Sequence, residues 1–344
     1  MTTLTLTPQT GQRPLAVSGS GATRIVKRAA AALMATALIV IPVFLFATFI
    51  TFLLGAASGL SPAAALSGDE ATPERIAQIN AELGLDQPLL VQYVTWMGSL
   101  FRGDLGVSWY NGFTVTELIG QRLTITASIA GTALLIGVVV GVTLGIVAAL
   151  NQGRIVDRAI TATTTVLSTL PPFVISIGLI VVFSVWLKAL PSSGYVAFEQ
   201  DPSMWFKLII MPAIALSLDP AADIARQLRT GLVHSLSQPY ITGAVVRGFS
   251  PSRILAVHAL RNGSGPAIAV LGMKIPALLG GAVVTETIFN MPGFGLLAAD
   301  SALRGDVPVV QGALVVSIIL VLTFNVLVNV ILTALQPATR RETR

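Results

Sequence analysis

Four ionisable residues lie inside otherwise apolar stretches of the chain: Asp219, Asp223, Lys274 and Glu286. A charge within a membrane span costs about 2.5–3.5 kcal/mol on insertion scales, so it is expected to face a cavity or a partner. Asp219 and Asp223 are one helical turn apart, and Arg226 follows one turn further. Asp223 is suited to pairing with Arg226, and both carboxylates are suited to lining a pathway for a cationic or amino-terminal group. The sequence leaves both alternatives open.

The other two intramembrane charges also allow more than one role. Lys274 stands beside Pro276 in the middle of its span. It is suited to pairing with Asp219 across a helix bundle, to lining a pathway, or to extending its ammonium towards the membrane surface. For Glu286 we favour a structural or gating hydrogen bond over contact with cargo. All four charged residues are candidates for a translocation pathway.

The sequence excludes several kinds of chemistry. A phosphate-binding loop needs glycine directly before a lysine, but the four lysines follow Val, Leu, Phe and Met. The chain has no cysteine, and its two histidines, His234 and His258, have no carboxylates near them in the sequence. We therefore expect no catalytic residue, no metal site, no cofactor and no ATPase activity. Any uphill transport must draw on an ion gradient or on another polypeptide.

The composition requires an integral membrane protein. Of 344 residues, 53% are hydrophobic and 11% charged, whereas an ordinary soluble domain has about 45–50% and about 25%. Charge-poor windows long enough to cross a bilayer predict an all-α protein with six transmembrane helices. Their expected ranges are 24–56, 123–150, 159–187, 207–229, 266–289 and 309–335. Residues 1–23, rich in Thr, Gly and Ser, are expected to be a disordered leader.

The distribution of basic residues predicts the orientation. Six spans place both termini on one side, and that side collects 14 of the 21 Lys and Arg residues, against 6 on the other side. Because basic residues mark the cytoplasm, both termini are expected to be cytoplasmic. Basic residues at the ends of spans also explain the positive net charge without a nucleic-acid partner.

Two loops are larger than simple connections. The external one, 57–116, contains the signals of a short helix, with Thr72 as N-cap and Pro73 in the first turn. Residues 88–101 follow, and their aromatic side chains suit a helix lying in the membrane interface. The remainder, 117–344, is expected to hold five spans and a cytoplasmic loop, 233–264.

Glycines at positions 137, 141 and 145 line one face of the second span. Small residues at this spacing let another helix approach closely. We favour packing within the chain, with a dimer interface as the alternative.

The cytoplasmic loop has the pattern of two short helices. A first helix over 240–247 ends at Gly248, Pro251 makes a turn, and a second helix over 252–261 carries Arg253, His258 and Arg261. Such a cationic, amphipathic pair favours docking to a cytosolic partner over lying on the membrane surface.

These residues carry a family resemblance. Tyr240, Ala244, Arg247 and Gly248, followed by His258-Ala-Leu-Arg261, resemble the EAA motif of ATP-binding-cassette (ABC) importer permeases, in the dipeptide/oligopeptide/nickel form. Residues 283–295 and 306–312 resemble the end of the fifth span and the start of the sixth in that branch. Residues 83–88 and 102–106 resemble its external loop. The likeness extends over roughly 24–340.

Two features depart from the branch. Thr242 and Val245 stand where basic residues are common, and this lowers the charge available for docking. Asp219, Asp223 and Lys274 stand where mostly neutral residues are expected, so they are candidates for a feature particular to this chain's cargo.

The resemblance implies a type I importer fold and a role in the bacterial inner membrane. It implies a second homologous permease, two cytosolic ATPases, an external binding protein and surrounding membrane lipid as partners. It also implies that the ATPases couple through the 233–264 loop; the expected residues are Tyr240, Ala244, Arg247, Gly248, Phe249, Arg253, His258 and Arg261. Peptides or a similar small solute are the implied cargo. The alternatives are an ion-coupled secondary transporter that uses Asp219, Asp223 and Glu286, and a membrane scaffold or receptor that transports nothing.

Overall fold

The structure, a computed structural model, describes residues 20–67 and 72–335. Most of the expected leader, 1–23, therefore lies outside the described residues. By internal contacts the chain forms two units, residues 1–47 and residues 48–344. Among the described residues the one β-type pairing is an isolated antiparallel bridge between Val107 and Thr114. The all-α expectation is confirmed.

The helices are numbered in chain order. They are α1 (Ser20–Ala57), α2 (Pro62–Ser67), α3 (Pro73–Glu82), α4 (Leu89–Phe101), α5 (Val115–Leu150), α6 (Ile155–Thr169), α7 (Pro172–Leu179), α8 (Pro202–Leu236), α9 (Pro239–Val246), α10 (Pro251–Arg253), α11 (Gly265–Ile288), α12 (Phe294–Arg304) and α13 (Val307–Leu335). A π-helical turn, Ile180–Trp186, extends α7. A second one, Ile254–Ala259, extends α10 and is followed by Leu260–Gly263.

In the described part of the chain, five helices are long and apolar enough to cross a membrane by themselves. They contain the segments Val40–Ala57, Val115–Leu150, Pro202–Leu236, Gly265–Ile288 and Val307–Val328. Helices α6 and α7 with its extension make the sixth span when the two are counted together. The six expected spans are therefore present.

The third span is broken. Its two halves differ in direction by 100°, and the break lies at two consecutive prolines, Pro171 and Pro172. Leu170 has an extended backbone with ψ 124°, as the residue before a proline usually does. Pro171 then caps α7, and Pro172 begins it. Two consecutive prolines supply no amide hydrogens, so the helix cannot continue through them.

The glycines of α5 pack against α8, the most extensive helix pairing in the described chain. A methyl group on Gly141 would lie 2.8 Å from the Ala221 carbonyl oxygen, and one on Gly145 would lie 3.0 Å from the Ala225 carbonyl oxygen. The expectation of packing within the chain is confirmed, because only glycine allows these helices to approach so closely.

The buried side chains form three clusters along the bundle. The first lies among α5, α8 and α11 and includes Ile129, Met211 and Leu278. The second joins the ends of α5, α8 and α11 to the short helices α9 and α10. The third joins the start of α5 to α12 and α13 through Val115 and Val309. The functional candidates are distributed along this core.

The 57–116 segment is folded as expected. Thr72 caps α3 by accepting a hydrogen bond from the Arg75 amide at 3.3 Å. In α4, Tyr93 packs edge-on against Phe52, with ring centroids 5.8 Å apart, while Leu90 and Val94 remain exposed. Helix α4 thus has one packed face and one apolar exposed face, which suits the membrane interface.

Candidate coupling segment and intramembrane charge cluster

The segment that follows α8 is a folded unit of two short helices, α9 and extended α10. Pro239 begins α9, which ends at Arg247. Gly248 then takes a left-handed backbone with φ 76°, a conformation that only glycine adopts without strain. The Phe249 amide donates to the Ala244 carbonyl at 3.2 Å, and Pro251 begins the second helix. The two helices and the turn agree with the sequence prediction.

One face of this segment is buried. Ile241, Ala244, Ile254 and Ala259 join a cluster with residues of α8 and α11 such as Leu232. The Gly231 and Gly263 backbones approach so closely that neither position has room for a side-chain carbon. The short helices are therefore attached firmly to two spans.

A serine of α8 connects the two short helices. The Ser235 hydroxyl donates to the Ala259 carbonyl at 3.2 Å, and it lies 2.6 Å from the Tyr240 hydroxyl. Because the serine proton is used on the carbonyl, the tyrosine must donate to the serine. Ser235 is buried, so this contact fixes α9 and α10 relative to the end of α8.

The other face of the segment is exposed, cationic and partly apolar. Arg247, Arg253 and Arg261 are all exposed, and none of them takes part in the ion pairs found among the described residues. The Arg253 guanidinium lies over the Phe249 ring, 4.5 Å from its centroid. The His258 ring lies 5.6 Å from the same ring. An exposed surface with three uncompensated cations is suited to an acidic protein partner.

The departures from the expected motif lie on this exposed face. Thr242 and Val245 are both exposed, as is Val246, whose accessibility is 83%. The face is therefore less basic and more apolar than the branch pattern suggests. Such a face is suited to a protein surface that combines an apolar patch with acidic groups.

Three of the four intramembrane charges meet in one cluster. The Lys274 ammonium lies 2.7 Å from Asp219 Oδ2 and 2.6 Å from Asp223 Oδ2. Asp223 also pairs with Arg226 through Oδ1. Both pairings considered from the sequence, Asp223 with Arg226 and Asp219 with Lys274, are present. Two carboxylates and two cations make the cluster neutral overall.

The cluster reaches the broken span. Arg226 Nη1 donates to the Ser168 hydroxyl at 3.3 Å, directly before the break at Leu170. One turn further along α8, Arg229 forms two hydrogen bonds to the carboxylate of Asp157, at 2.5 and 2.7 Å. Helix α8 is thus joined to α11 and to α6 by charged side chains.

Glu286 lies apart from this cluster, twelve residues after Lys274 on α11, which is about 18 Å along a helix. Its side chain is completely buried. One carboxylate oxygen accepts from the Thr126 hydroxyl, and the other accepts from the Leu296 amide at 2.8 Å. Thr126 also accepts from the Phe294 amide at 2.8 Å. These bonds hold the 290–296 loop on α5, which fits the structural hydrogen bond favoured from the sequence.

The 306–312 stretch contains a second buried carboxylate. Asp306 accepts from the Ser108 hydroxyl at 2.5 Å and from the Trp109 amide at 3.2 Å. Burial raises the pKa of this carboxyl, and the two hydrogen bonds oppose that shift. Asp306 therefore fixes the segment that precedes α5 to the start of α13.

Sequence reasoning did not identify Ser235, Thr126, Ser168 or the Asp157–Arg229 pair. Serine and threonine are common in helices of every kind, and only their tertiary partners distinguish these. Asp157 did carry a signal, because it follows a predicted span end and is an acid among basic residues.

The chain matches two family profiles. Residues 141–341 match the "Binding-protein-dependent transport system inner membrane component" family. Residues 24–130 match the N-terminal part of such membrane components.

Several curated relatives match along nearly their whole length. A probable peptide ABC transporter permease of Sinorhizobium fredii is 38% identical, over 85% of this chain and 93% of its own. A putative peptide transport system permease of Brucella abortus is 37% identical, over 87% and 96%. The dipeptide transport system permease DppB of Escherichia coli is 32% identical, over 88% and 97%.

The fold also matches a solved structure. A chain of the MetNI methionine ABC transporter, in an inward-facing conformation, superposes with a TM-score of 0.53 at 17% identity. The match covers 64% of this chain and 97% of that one. With the spans, the folded loops and the two profiles, it confirms a type I ABC importer permease fold in a multi-pass protein of the bacterial inner membrane. The chain belongs to the family of binding-protein-dependent transport system inner membrane components, the permease subunits of ABC importers.

Proposed function

We propose that this chain forms one half of a translocation pathway for di- or oligopeptides, beside a second, homologous permease. An external binding protein delivers the cargo, and two cytosolic ATPases drive transport from the α9–α10 segment. The sequence of this chain contains no phosphate-binding loop of its own, which fits a division of labour between subunits.

The observation that carries the proposal is the two-faced α9–α10 segment. Its buried face is continuous with α8 and α11. Its exposed face presents apolar side chains and three arginines that form no ion pair with the described residues. A rigid element attached to two spans transmits a push from a docked partner as movement of those spans. The names of the curated relatives, which specify peptides and dipeptides, support the choice of cargo.

The proposal includes an orientation. It places 233–264 and both termini in the cytoplasm, and 57–116 outside, because basic residues concentrate on the former side. The domain division expected from the sequence, with 24–56 as first span and 117–344 as core, is part of the same proposal.

The docking surface is tested by reversing its charge. The chain is co-expressed with a candidate partner permease and candidate ATPases, and ATPase co-purification and peptide uptake are measured. We expect Arg247→Glu to reduce both by about tenfold, as loss of an interfacial charge pair does when it costs about 1.4 kcal/mol. The matched control, Arg102→Glu, changes an exposed arginine of the external segment and should leave both unchanged. Unaltered assembly in Arg247→Glu would falsify the docking surface.

The transmission step has a separate test. Ser235→Ala removes the hydroxyl that holds Tyr240 and Ala259 but leaves the exposed face intact. We expect ATPases to remain bound while the peptide transported per ATP hydrolysed decreases. Ser237→Ala, which removes only a local bond to the His234 carbonyl, is the control. Equal transport ratios in the two variants would remove the support for Ser235 as the connection.

A further inference from the structure

We infer that Asp219 and Arg226 form a binding site for the two charged ends of a short zwitterionic peptide. Asp219 would pair with the peptide's ammonium group, and Arg226 with its carboxylate. This inference rests on the proposed function and adds to it a defined pair of residues and a class of ligand.

Two charged side chains of the cluster are partly exposed. The side chains of Asp219 and Arg226 are 40% and 38% exposed, although both lie in the span Pro202–Leu236. A charge exposed to lipid at that depth is costly, so exposed charges within spans face a water-filled cavity or another protein. The cluster therefore lies on a surface that is not covered by lipid tails.

Two side chains of the cluster have hydrogen-bonding atoms that the described residues do not use. Among the described residues, Asp219 is engaged through Oδ2 alone, by Lys274, so its Oδ1 is free to accept from a ligand. Arg226 uses Nη1 on Ser168 and Nη2 on Asp223, and its Nε–H has no partner in the described chain. Asp223, by contrast, uses both oxygens. The available acceptor and the available donor thus stand at the two ends of the cluster.

The net charge of the cluster matches that of a zwitterionic ligand. The cluster is neutral, because Lys274 lies between two carboxylates and Arg226 pairs with one of them. A zwitterion is neutral too, so its entry leaves every charge paired. When the ligand's ammonium takes Asp219, Lys274 keeps Asp223. A singly charged ligand would leave one charge of the site without a partner within the membrane span, which is costly.

The spacing of the two residues suits a short peptide. Asp219 and Arg226 are seven residues apart on α8, so their backbones are about 10.5 Å apart along the helix axis. An extended dipeptide spans about 7 Å, and a charge-assisted hydrogen bond adds about 2.8 Å at each end. The charged ends of a peptide of two or three residues are therefore separated by about as much as the two residues are along α8, whereas those of a single amino acid are much closer together.

The test uses a reporter cysteine, since the natural chain has none. Ala277→Cys lies one turn from Lys274 on an exposed part of α11. Val284→Cys, also exposed on α11 but about 15 Å along the helix from Lys274, is the control.

The full complex in membrane vesicles is treated with a water-soluble thiol reagent, and labelling of this chain is followed by mass spectrometry. The probes are Ala-Ala, alanine, and N-acetyl-Ala-Ala-amide.

We expect Ala277→Cys to react, and Ala-Ala at ten times its dissociation constant to slow the reaction by about tenfold, in proportion to the unoccupied fraction. Alanine, the blocked peptide and the Val284→Cys control should show no protection. In the Ala277→Cys variant, the additional substitution Asp219→Asn should abolish the protection by Ala-Ala, whereas Asp219→Glu should retain most of it.

Three results would overturn the inference. The first is a cysteine at position 277 that does not react in the absence of peptide, because this would place the cluster against the second permease. The second is protection of that cysteine by the blocked peptide equal to the protection by Ala-Ala. The third is protection by Ala-Ala that persists in Asp219→Asn. Uptake driven by the binding protein is measured in the same vesicles. If peptide is taken up but the cysteine at position 277 is not protected, the Asp219–Arg226 site alone is rejected. If no peptide is taken up, the proposed function is rejected as well.

Discussion

At the scale of single residues, Gly293 is held against the carboxylate of the completely buried Glu286. A methyl group at Gly293 would collide with that carboxylate and displace a group that organises the 290–296 loop. We expect Gly293→Ala to destabilise the extracted protein by about 1–3 kcal/mol, the usual cost of overpacking, seen as a lower thermal midpoint.

The matched control is Gly280→Ala on α11, where a methyl group meets nothing within 4 Å. Since alanine favours a helix over glycine by about 1 kcal/mol, this variant should be as stable as the natural chain or more so. Equal midpoints for the two variants would contradict the contact with Glu286.

Asp306 should make stability depend on pH. Burial raises the pKa of Asp306 in the folded chain above its unfolded value of about 3.9. The contribution of the protonated Asp306 carboxyl to the free energy of unfolding is therefore complete below the unfolded pKa. It is lost as the pH rises through the folded pKa. Asp306→Asn does not titrate. We expect the thermal midpoint of the natural chain to fall relative to that of Asp306→Asn as the pH rises above about 4. A constant difference would show that the pKa is not raised.

At the scale of elements, the contact of α5 with α8 depends on the absence of side chains at two glycines. Gly141→Ala would place its methyl group 2.8 Å from the Ala221 carbonyl oxygen and from Ile224 Cβ. We expect the helices to separate locally, at a cost of about 1–3 kcal/mol, with reduced thermal stability.

Gly131→Ala is the control on the same helix, because a methyl group there has nothing within 4 Å. It should gain slightly in stability through helix propensity. If Gly141→Ala were as stable as Gly131→Ala, close packing of α5 on α8 would not be a source of stability.

Elements could be predicted from sequence where local chemistry decides them. The Thr72 cap, the proline pair and the Gly248 turn each act through the backbone of their own segment, so their positions were predictable. The degree of bending at Pro171 was not, because the angle depends on how α6 and α7 pack against α8.

At the scale of the whole molecule, the proposed orientation makes a labelling prediction. We expect Arg102→Cys to react with a membrane-impermeant thiol reagent in intact spheroplasts, and Val246→Cys to react only in inside-out vesicles. Both positions are exposed, and the chain has no other cysteine.

Co-expressing the ATPases should protect Val246→Cys and leave Arg102→Cys reactive. Labelling of Val246→Cys from the outside would reverse the orientation, and absence of protection by the ATPases would remove α9 from the docking surface.

The sequence by itself determined the membrane class, the number of spans, the folded loops and the pattern that identifies the family, because hydropathy, charge and turn residues act locally along the chain. Only the tertiary structure decided which charges meet. Asp219, Asp223 and Lys274 come together because α8 packs along α11, while Glu286 lies twelve residues beyond Lys274 and is bonded to α5 and the 290–296 loop instead. Ser235 and Thr126 acquire their importance in the same way, since a hydroxyl becomes structural only when packing places buried partners within hydrogen-bonding distance.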